Sequence, residues 1–296
     1  MRVERSASNR RLMSVLWAVV SVYAVGTIAN ALFSLNVQGS LLVLIALAFA
    51  LVHGAMRYRW SGIVMFIVIA LVVSNILENA SILTGFPFGH YHYTDALGPK
   101  LFLVPVVIGV AYFSTGYLAW TLATILVGAL RRGSSALTTL GIPFVASFLM
   151  VFWDVCLDPT ASTVNHVWIW EQGGGYFGVP LTNYLGWFLT VYVFFQLFAL
   201  FLRSRNAGPE EIQPLSRSFL AQAVVMYGVI GLSFVVTYLV GHDSGHVTDA
   251  AGVVWQTASI AEARATVTIF TMIFAAVLSG LKLLQAAAVA PVNRAG

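Results

Sequence analysis

Long apolar runs separated by short polar stretches account for almost the whole chain. A helix that crosses a bilayer needs about 20 consecutive and mostly apolar residues. Eight runs have this character, and we predict transmembrane helices at residues 12–34, 40–56, 61–84, 101–130, 136–157, 184–203, 217–241 and 261–285. The pattern predicts an all-α, polytopic membrane bundle in which residues 1–296 form one transmembrane domain.

The composition indicates the same class of protein. Hydrophobic residues make up 59% of the chain and charged residues 9%, whereas a soluble domain contains about 25% charged residues. A soluble fold of this size could not bury so much apolar surface, so a water-soluble enzyme is excluded, as is a disordered chain. The single cysteine, Cys156, cannot form an intrachain disulfide.

The first apolar run has an alternative explanation as a cleaved leader. Arg10 and Arg11 precede it, and Ala29-Asn30-Ala31 resembles a cleavage site. We expect the helix to be retained, because the run is long and further spans follow it.

Basic residues gather on one side of the predicted bundle. Thirteen of the 15 lysines and arginines fall there, and the two exceptions are Lys100 and Arg264. Because basic residues mark the cytoplasmic side of a plasma-membrane protein, we expect both termini in the cytoplasm. Eight of the 11 acidic residues and five of the six histidines lie toward the other end, so ionisable chemistry is expected in the outer half of the membrane.

A polar stripe interrupts the apolar helix predicted at 61–84. Its members share one helix face and are Ser74, Asn75, Glu78 and Asn79. A carboxylate at membrane depth is costly and usually marks a functional site, so Glu78 is a candidate site residue. The alternative is a structural cluster of hydrogen bonds that holds helices together.

A second acidic face lies on the helix predicted at 136–157. Ser147, Asp154 and Asp158 share that face, and Asp158 precedes Pro159. The residue before a proline disfavours helix, so we expect the helix to end there. Asp154 is a functional candidate on the same argument as Glu78, whereas turn chemistry explains Asp158 equally well.

The segment after the 61–84 helix contains too much glycine and proline to be helical. If it is extended, His90 and His92 face one way and Tyr91 and Tyr93 the other. Irregular backbone is unfavourable in contact with lipid, so we expect this segment to re-enter the bilayer or to line a cavity.

The segment after the 136–157 helix has a similar character, with Trp168 and Trp170 followed by three consecutive glycines. Both segments follow a helix with an acidic end and lie on the same side of the predicted bundle. We therefore expect them to share one pocket, with an active-site region formed by residues 74–100 and 150–187.

A metal site is an alternative explanation for the histidines. His90, His92 and Glu78 could supply three ligands. The closely spaced helical histidine pairs of membrane di-iron hydroxylases are absent from the sequence, and His242 and His246 adjoin glycines in a predicted loop. We therefore predict no metal site.

Together these motifs resemble the carotenoid-biosynthesis membrane hydratases, a family that includes the γ-carotene 1′-hydratase and bisanhydrobacterioruberin hydratase types. The resemblance covers roughly residues 60–200 and depends on the whole set of motifs. The matching motifs are Glu78-Asn79, Phe86-Pro87-Phe88-Gly89-His90-Tyr91-His92-Tyr93, Gly98-Pro99-Lys100, Asp154 with Asp158-Pro159, Trp168 with Trp170, Tyr176-Phe177-Gly178-Val179-Pro180 and Asn183-Tyr184-Leu185-Gly186-Trp187.

The resemblance implies a polytopic enzyme of the hydro-lyase class. It would add water across the terminal carbon–carbon double bond of an acyclic carotenoid end group and produce a tertiary alcohol. The expected partner is a lipophilic carotenoid within the bilayer, together with other enzymes of carotenoid synthesis. We expect no cofactor and no nucleic-acid partner.

Hydration of such an alkene requires a proton donor, a stabilised tertiary cation and a water molecule placed at that cation. A carboxylic acid removed from water keeps its proton more readily, so Glu78, Asp154 and Asp158 are the candidate acids. His90 and His92 are the candidate bases. Aromatic faces stabilise cations, and the predicted substrate-binding residues are Asn75, Asn79, Phe86, Phe88, Tyr91, Tyr93, Trp168, Trp170 and Asn183.

Two other functions explain buried acids without this chemistry. In a proton-coupled transporter the carboxylates would relay protons. In a non-catalytic scaffold of a pigment pathway they would only hold the helices together.

Overall fold

The computed structural model of the chain describes residues 2–33, 39–131, 133–205, 215–241 and 244–288. Some residues that were counted for the predicted orientation and for the distribution of acids and histidines lie outside these ranges. They are Arg132, Glu210, Glu211, His242, Asp243 and Arg294.

The described residues form a bundle of long helices, which confirms the predicted all-α membrane architecture. These residues contain seven helical spans that are long and apolar enough to cross a membrane, and one of the seven combines the last two helices. The helices are α1 (Arg2–Phe33), α2 (Gly39–Thr84), α3 (Val106–Val127), α4 (Ala136–Asp158), α5 (Leu181–Ser204), α6 (Arg217–Val240), α7 (Thr257–Thr268) and α8 (Phe274–Ala288). A π-helical turn at Ile269–Ile273 joins α7 and α8 into one span.

The helix α2 consists of two antiparallel segments that meet at Arg59. This residue has φ 61° and ψ 166°, which interrupts the helical backbone. In an unbroken helix Gly54 and Ile63 would lie about 13.5 Å apart along the axis, yet a Cβ atom on Gly54 would lie 2.7 Å from Ile63 Cγ1. The chain therefore reverses at Arg59, and the seven helices contain the eight membrane-length segments that the sequence predicts.

An aromatic core joins α2, α3 and α5 in the middle of the bundle. Phe66 stacks on Phe198 with ring centroids 4.5 Å apart, and Trp120 stacks on Phe195 at 5.7 Å. Helices in lipid associate through close packing, since the lipid itself is apolar. This core therefore holds α2, α3 and α5 in the positions that bring their polar residues together.

Three loops meet at one end of the bundle, which we call the loop end. The loop after α2 contains β1 (Tyr91–Tyr93), β2 (Lys100–Leu101) and β3 (Val104–Pro105), the loop after α4 contains β4 (Trp168–Trp170), and the loop after α6 contains β5 (His246–Thr248) and β6 (Val254–Gln256). Strand β1 pairs antiparallel with β4, and the Phe177 ring lies 5.4 Å from that of Trp255. The loop after α2 therefore contains no α-helix, which agrees with the prediction except for one 3₁₀ turn at Asp95–Leu97. Its re-entry into the bilayer stays a prediction.

The end of α4 differs from the prediction. The chain does not leave the helix at Asp158 but continues as a π-helical turn over Pro159–Val164. Pro159 lies at the junction and has no N–H group to donate to the preceding turn. The Asn165 amide donates to the Thr160 carbonyl at 2.9 Å, which is the bond between residues five apart that defines a π-helix. Turns of this type are frequent at functional sites, and Asp158 lies at its start.

Candidate functional site

Glu78 is the centre of the first polar group at the loop end. Its side chain lies on α2 and is 2% exposed. The Tyr91 hydroxyl donates to Oε2, the Tyr93 hydroxyl donates to the same oxygen at 2.9 Å, and the Tyr112 hydroxyl donates to Oε1 at 2.7 Å. Only an ionised carboxylate acts purely as an acceptor, so three donors suit a negatively charged Glu78.

Asp154 and Asp158 form the second polar group, which we call the aspartate pair. Each is 1% exposed on the inner face of α4, as the sequence predicted. The Asn183 side-chain amide donates to both carboxyls, at 2.9 Å to Asp154 Oδ2 and 2.7 Å to Asp158 Oδ2. One amide group therefore holds two carboxyl groups side by side.

Two tryptophans complete the hydrogen bonds of Asp158. The indole N–H of Trp168 donates to Asp158 Oδ1 at 2.8 Å, and that of Trp170 donates to the same oxygen at 3.3 Å. Both indoles lie on β4, so the loop after α4 folds back over the end of its own helix.

The pairing of β1 with β4 connects Glu78 to the aspartate pair. Tyr91 lies opposite Trp170 in the ladder, and Tyr93 lies opposite Trp168. Their ring centroids are 4.8 Å and 5.9 Å apart, respectively. Each tyrosine binds Glu78 and each tryptophan binds Asp158, so two cross-strand aromatic pairs join the two acidic groups.

The rings of Tyr91, Tyr93, Trp168 and Trp170 form an aromatic enclosure between the two acidic groups. Trp187 extends this enclosure towards the interior of the bundle. It stacks on Tyr112 with centroids 4.3 Å apart, and it meets Trp153 and Phe88 edge to face. Gly186 allows this approach, because a Cβ atom there would lie 2.8 Å from Phe88 Cδ1.

The hydroxyls of Tyr91 and Tyr93 remain donors at any ordinary pH. Burial raises the pKa of both well above the usual range of tyrosine, and the nearby Glu78 carboxylate raises it further. Both tyrosines therefore hold Glu78 through neutral phenol groups.

The two histidines do not face the buried carboxyls, so the predicted location of the bases is wrong. His92 lies on the outer face of β1, where its Nδ1 atom is 3.3 Å from Glu171 Oε1 and both side chains are about half exposed. The His90 ring packs beside Gly85, where a Cβ atom would lie 2.7 Å from Nε2. Alternation along the strand is the reason, since it turns Tyr91 and Tyr93 inward and His92 outward.

Three residues predicted to bind substrate have other surroundings. Phe86 is 63% exposed and lies outside the aromatic enclosure, whereas Phe88 is buried within it. Asn79 donates to the Asn75 carbonyl at 2.7 Å and accepts from the Leu103 amide at 3.0 Å. Asn75 and Asn79 therefore attach the turn between β2 and β3 to α2.

Tyr112, Tyr184 and Trp187 belong to the site but were not predicted as site residues. Tyr112 lies within a continuous apolar run, where aromatic residues usually pack in a core. Only the packing of α3 against α2 brings its hydroxyl to Glu78. For Tyr184 and Trp187, adjacency to Asn183 in a shared motif was the available signal.

The described part of the chain contains no group of three or more histidine, cysteine or acidic side chains placed to hold a metal ion. Of the three candidate ligands His90, His92 and Glu78, His92 lies on the outer face of β1 beside Glu171, whereas Glu78 is buried and bound by tyrosines.

Comparison with known proteins agrees with this architecture. The sequence profile of a family described as carotenoid biosynthesis protein matches residues 36–248. The bisanhydrobacterioruberin hydratase of Haloarcula japonica is 34% identical over 115 residues, which cover 38% of this chain and 37% of that protein. No solved structure matches the chain. The profile includes most of the chain and confirms the resemblance noted in the motifs, so the chain belongs to the carotenoid biosynthesis protein family.

Proposed function

We propose that this protein is a carotenoid hydratase. It adds water across the terminal double bond of an acyclic end group by acid catalysis, without a cofactor, and produces a tertiary alcohol. The name of the Haloarcula japonica relative supports this class of reaction. The observation that carries the proposal is the aspartate pair, in which two buried carboxyls share one amide donor beside an aromatic enclosure.

The aspartate pair is the proposed proton donor. Two neighbouring carboxyls in an apolar site resist ionising together, because like charges repel strongly where water is excluded. The pair then holds one shared proton. Transfer of this proton to the alkene carbon that already carries one hydrogen leaves the positive charge on the more substituted, tertiary carbon.

The aromatic enclosure and Glu78 stabilise the resulting cation. Tyrosine and tryptophan rings attract a positive charge through their electron-rich faces, and four such rings lie between the two acidic groups. Glu78 contributes a negative charge that three hydroxyl donors hold in place. Charge stabilisation by preorganised groups is usually the largest contribution to catalysis.

Addition of water completes the reaction and restores the site. The oxygen of a water molecule bonds to the tertiary carbon, and one of its protons passes to the ionised aspartate pair. The pair returns to its initial protonation state, and the net change is the addition of one water molecule. The aspartate pair therefore takes the base role that the sequence suggested for His90 and His92.

Expression in a lycopene-producing host tests this proposal. The wild-type protein is expected to produce carotenoids heavier by one or two water molecules, detected by mass spectrometry. In isotopically labelled water the hydroxyl oxygen should carry the label, and deuterated solvent should leave deuterium on the adjacent carbon. Oxygen derived from molecular oxygen would instead identify a hydroxylase.

The same experiment distinguishes the hydratase from the two alternative functions. Unchanged lycopene in membranes that contain the protein would contradict the hydratase and favour a transporter or a scaffold. The polar groups lie near the helix ends at the loop end, whereas transporters usually place their binding site at the midplane. This placement favours the enzyme over the transporter.

A further inference from the structure

Tyr184 has a buried hydroxyl group beside the aspartate pair. The residue follows Asn183 on α5, and its ring meets that of Tyr176 edge to face, with centroids 5.9 Å apart. Its side chain packs against the buried cluster that contains Trp170, whose indole donates to Asp158 Oδ1. Among the described residues, no side chain or backbone group forms a hydrogen bond with it.

Other buried tyrosines in the bundle do not share this property. The Tyr112 hydroxyl donates to Glu78, that of Tyr117 lies 2.5 Å from His53 Nδ1, and that of Tyr227 donates to the Leu149 carbonyl. A buried hydroxyl without a partner costs about 1–3 kcal/mol. A buried water molecule commonly removes this cost where several polar groups converge.

We propose that Tyr184 positions the water molecule that attacks the substrate cation. The water is held between the Tyr184 hydroxyl and a carboxyl of the aspartate pair. This inference rests on the proposed hydratase function and adds to it the source of the nucleophile. Tyr184 is a positioning residue, because it exchanges no proton with the substrate.

The chemistry then has two competing outcomes after the proton transfer. When the water is in place, its oxygen bonds to the tertiary carbon and its proton returns to the aspartate pair. Without the water, the cation loses a proton to the ionised pair and becomes an alkene again. In deuterated solvent the second outcome leaves deuterium in recovered substrate, so the two outcomes can be measured separately.

The test compares alcohol formation with deuterium exchange in membranes that contain the Tyr184→Phe protein. We expect alcohol formation to fall about tenfold or more, the scale of one lost hydrogen bond in a polar site. Exchange into recovered carotenoid should persist, so the ratio of exchange to alcohol should rise by about the same factor. The matched control is Tyr192→Phe, two turns further along α5, where the ring stacks on Phe188 and the ratio should not change.

An unchanged ratio in the Tyr184→Phe protein would overturn the inference, whether or not total activity falls, because a structural defect lowers both outcomes together. Tyr184→Leu also removes the hydroxyl and should raise the ratio in the same way. It takes the place of the phenylalanine variant if that protein does not accumulate. A wild-type protein that forms no alcohol would contradict the hydratase function itself, which separates that failure from a failure of the role of Tyr184.

Discussion

Asn183 is the residue on which the arrangement of the aspartate pair depends. Its amide donates to both carboxyls from the first turn of α5, while both aspartates lie on α4. A hydrogen bond to a charged group contributes about 1.5–3 kcal/mol. This amide therefore offsets part of the cost of holding two acids together and fixes the separation between the two carboxyls.

Removal of either carboxyl from the pair should abolish most of the activity. Asp154→Asn and Asp158→Asn are nearly isosteric and keep hydrogen-bonding capacity, but they cannot supply the shared proton. We expect turnover to fall by about a hundredfold or more in each, the scale of a general acid. Turnover is measured as alcohol formed per unit of protein in isolated membranes.

The matched control for these variants is Asp95→Asn. Asp95 is a fully exposed carboxyl of the loop after α2 that binds Lys100 at 3.1 Å, away from the buried pair. Its replacement should leave turnover unchanged. Full activity of both aspartate-pair variants would remove the pair from the mechanism.

At the scale of elements, the site depends on the path of the loop after α4. This loop folds back on itself and passes close to the residues that precede α5. Gly174 lies where this loop passes the residues that precede α5. A Cβ atom on Gly174 would collide with the backbone of Val179 and Pro180, which cannot move as a flexible side chain can. This close approach sets the position of β4 and, through Trp168 and Trp170, the surroundings of Asp158.

Gly174→Ala should therefore destabilise the loop and reduce activity. We expect a cost of about 1–3 kcal/mol, as for overpacking at a tightly packed site, together with lower turnover. The measurement is thermal unfolding in detergent combined with alcohol formation in membranes. The neighbouring Gly175→Ala is the control, because no atom lies within 4 Å of its added Cβ. Equal stability of the two variants would contradict the close approach.

The elements also show how far periodicity can predict this structure. Apolar runs located the ends of the helices within five residues, except that α1 begins at Arg2, ten residues before the predicted start at 12. The strand alternation of Tyr91, His92 and Tyr93 was predicted correctly. The pairing of β1 with β4 was not predicted, because 74 residues or more separate the partners and short strands carry little signal of their own. For the same reason His90 and His92 were assigned to the site although the pairing turns them away.

For the whole molecule, the eight-segment arrangement places the three loops and the site at one end and most basic residues at the other. Arg57 and Arg205 lie at this second end, where they bind Thr124 and Ser61. The orientation rule for basic residues predicts that this end is cytoplasmic. The site is then expected at the outer surface of the membrane, with both termini inside.

Cysteine labelling tests this orientation in a Cys156→Ser background. Asp95→Cys and Gln172→Cys place a thiol on exposed loop-end positions, so both should react with an impermeant thiol reagent added outside intact cells. Arg131→Cys, exposed at the opposite end, should react only after the cells are permeabilised. The reverse pattern would invert the topology and place the site at the cytoplasmic surface.

The sequence by itself determined the class of the protein and the location of its apolar helices, and it identified the acidic residues of the candidate site. These features follow from local patterns, since burial in lipid demands long apolar runs and makes each buried carboxyl conspicuous. Only the tertiary structure decided which groups serve those acids. Tyr112 and Asn183 reach their carboxyls from other helices, and such contacts depend on how the helices pack, which apolar periodicity does not encode.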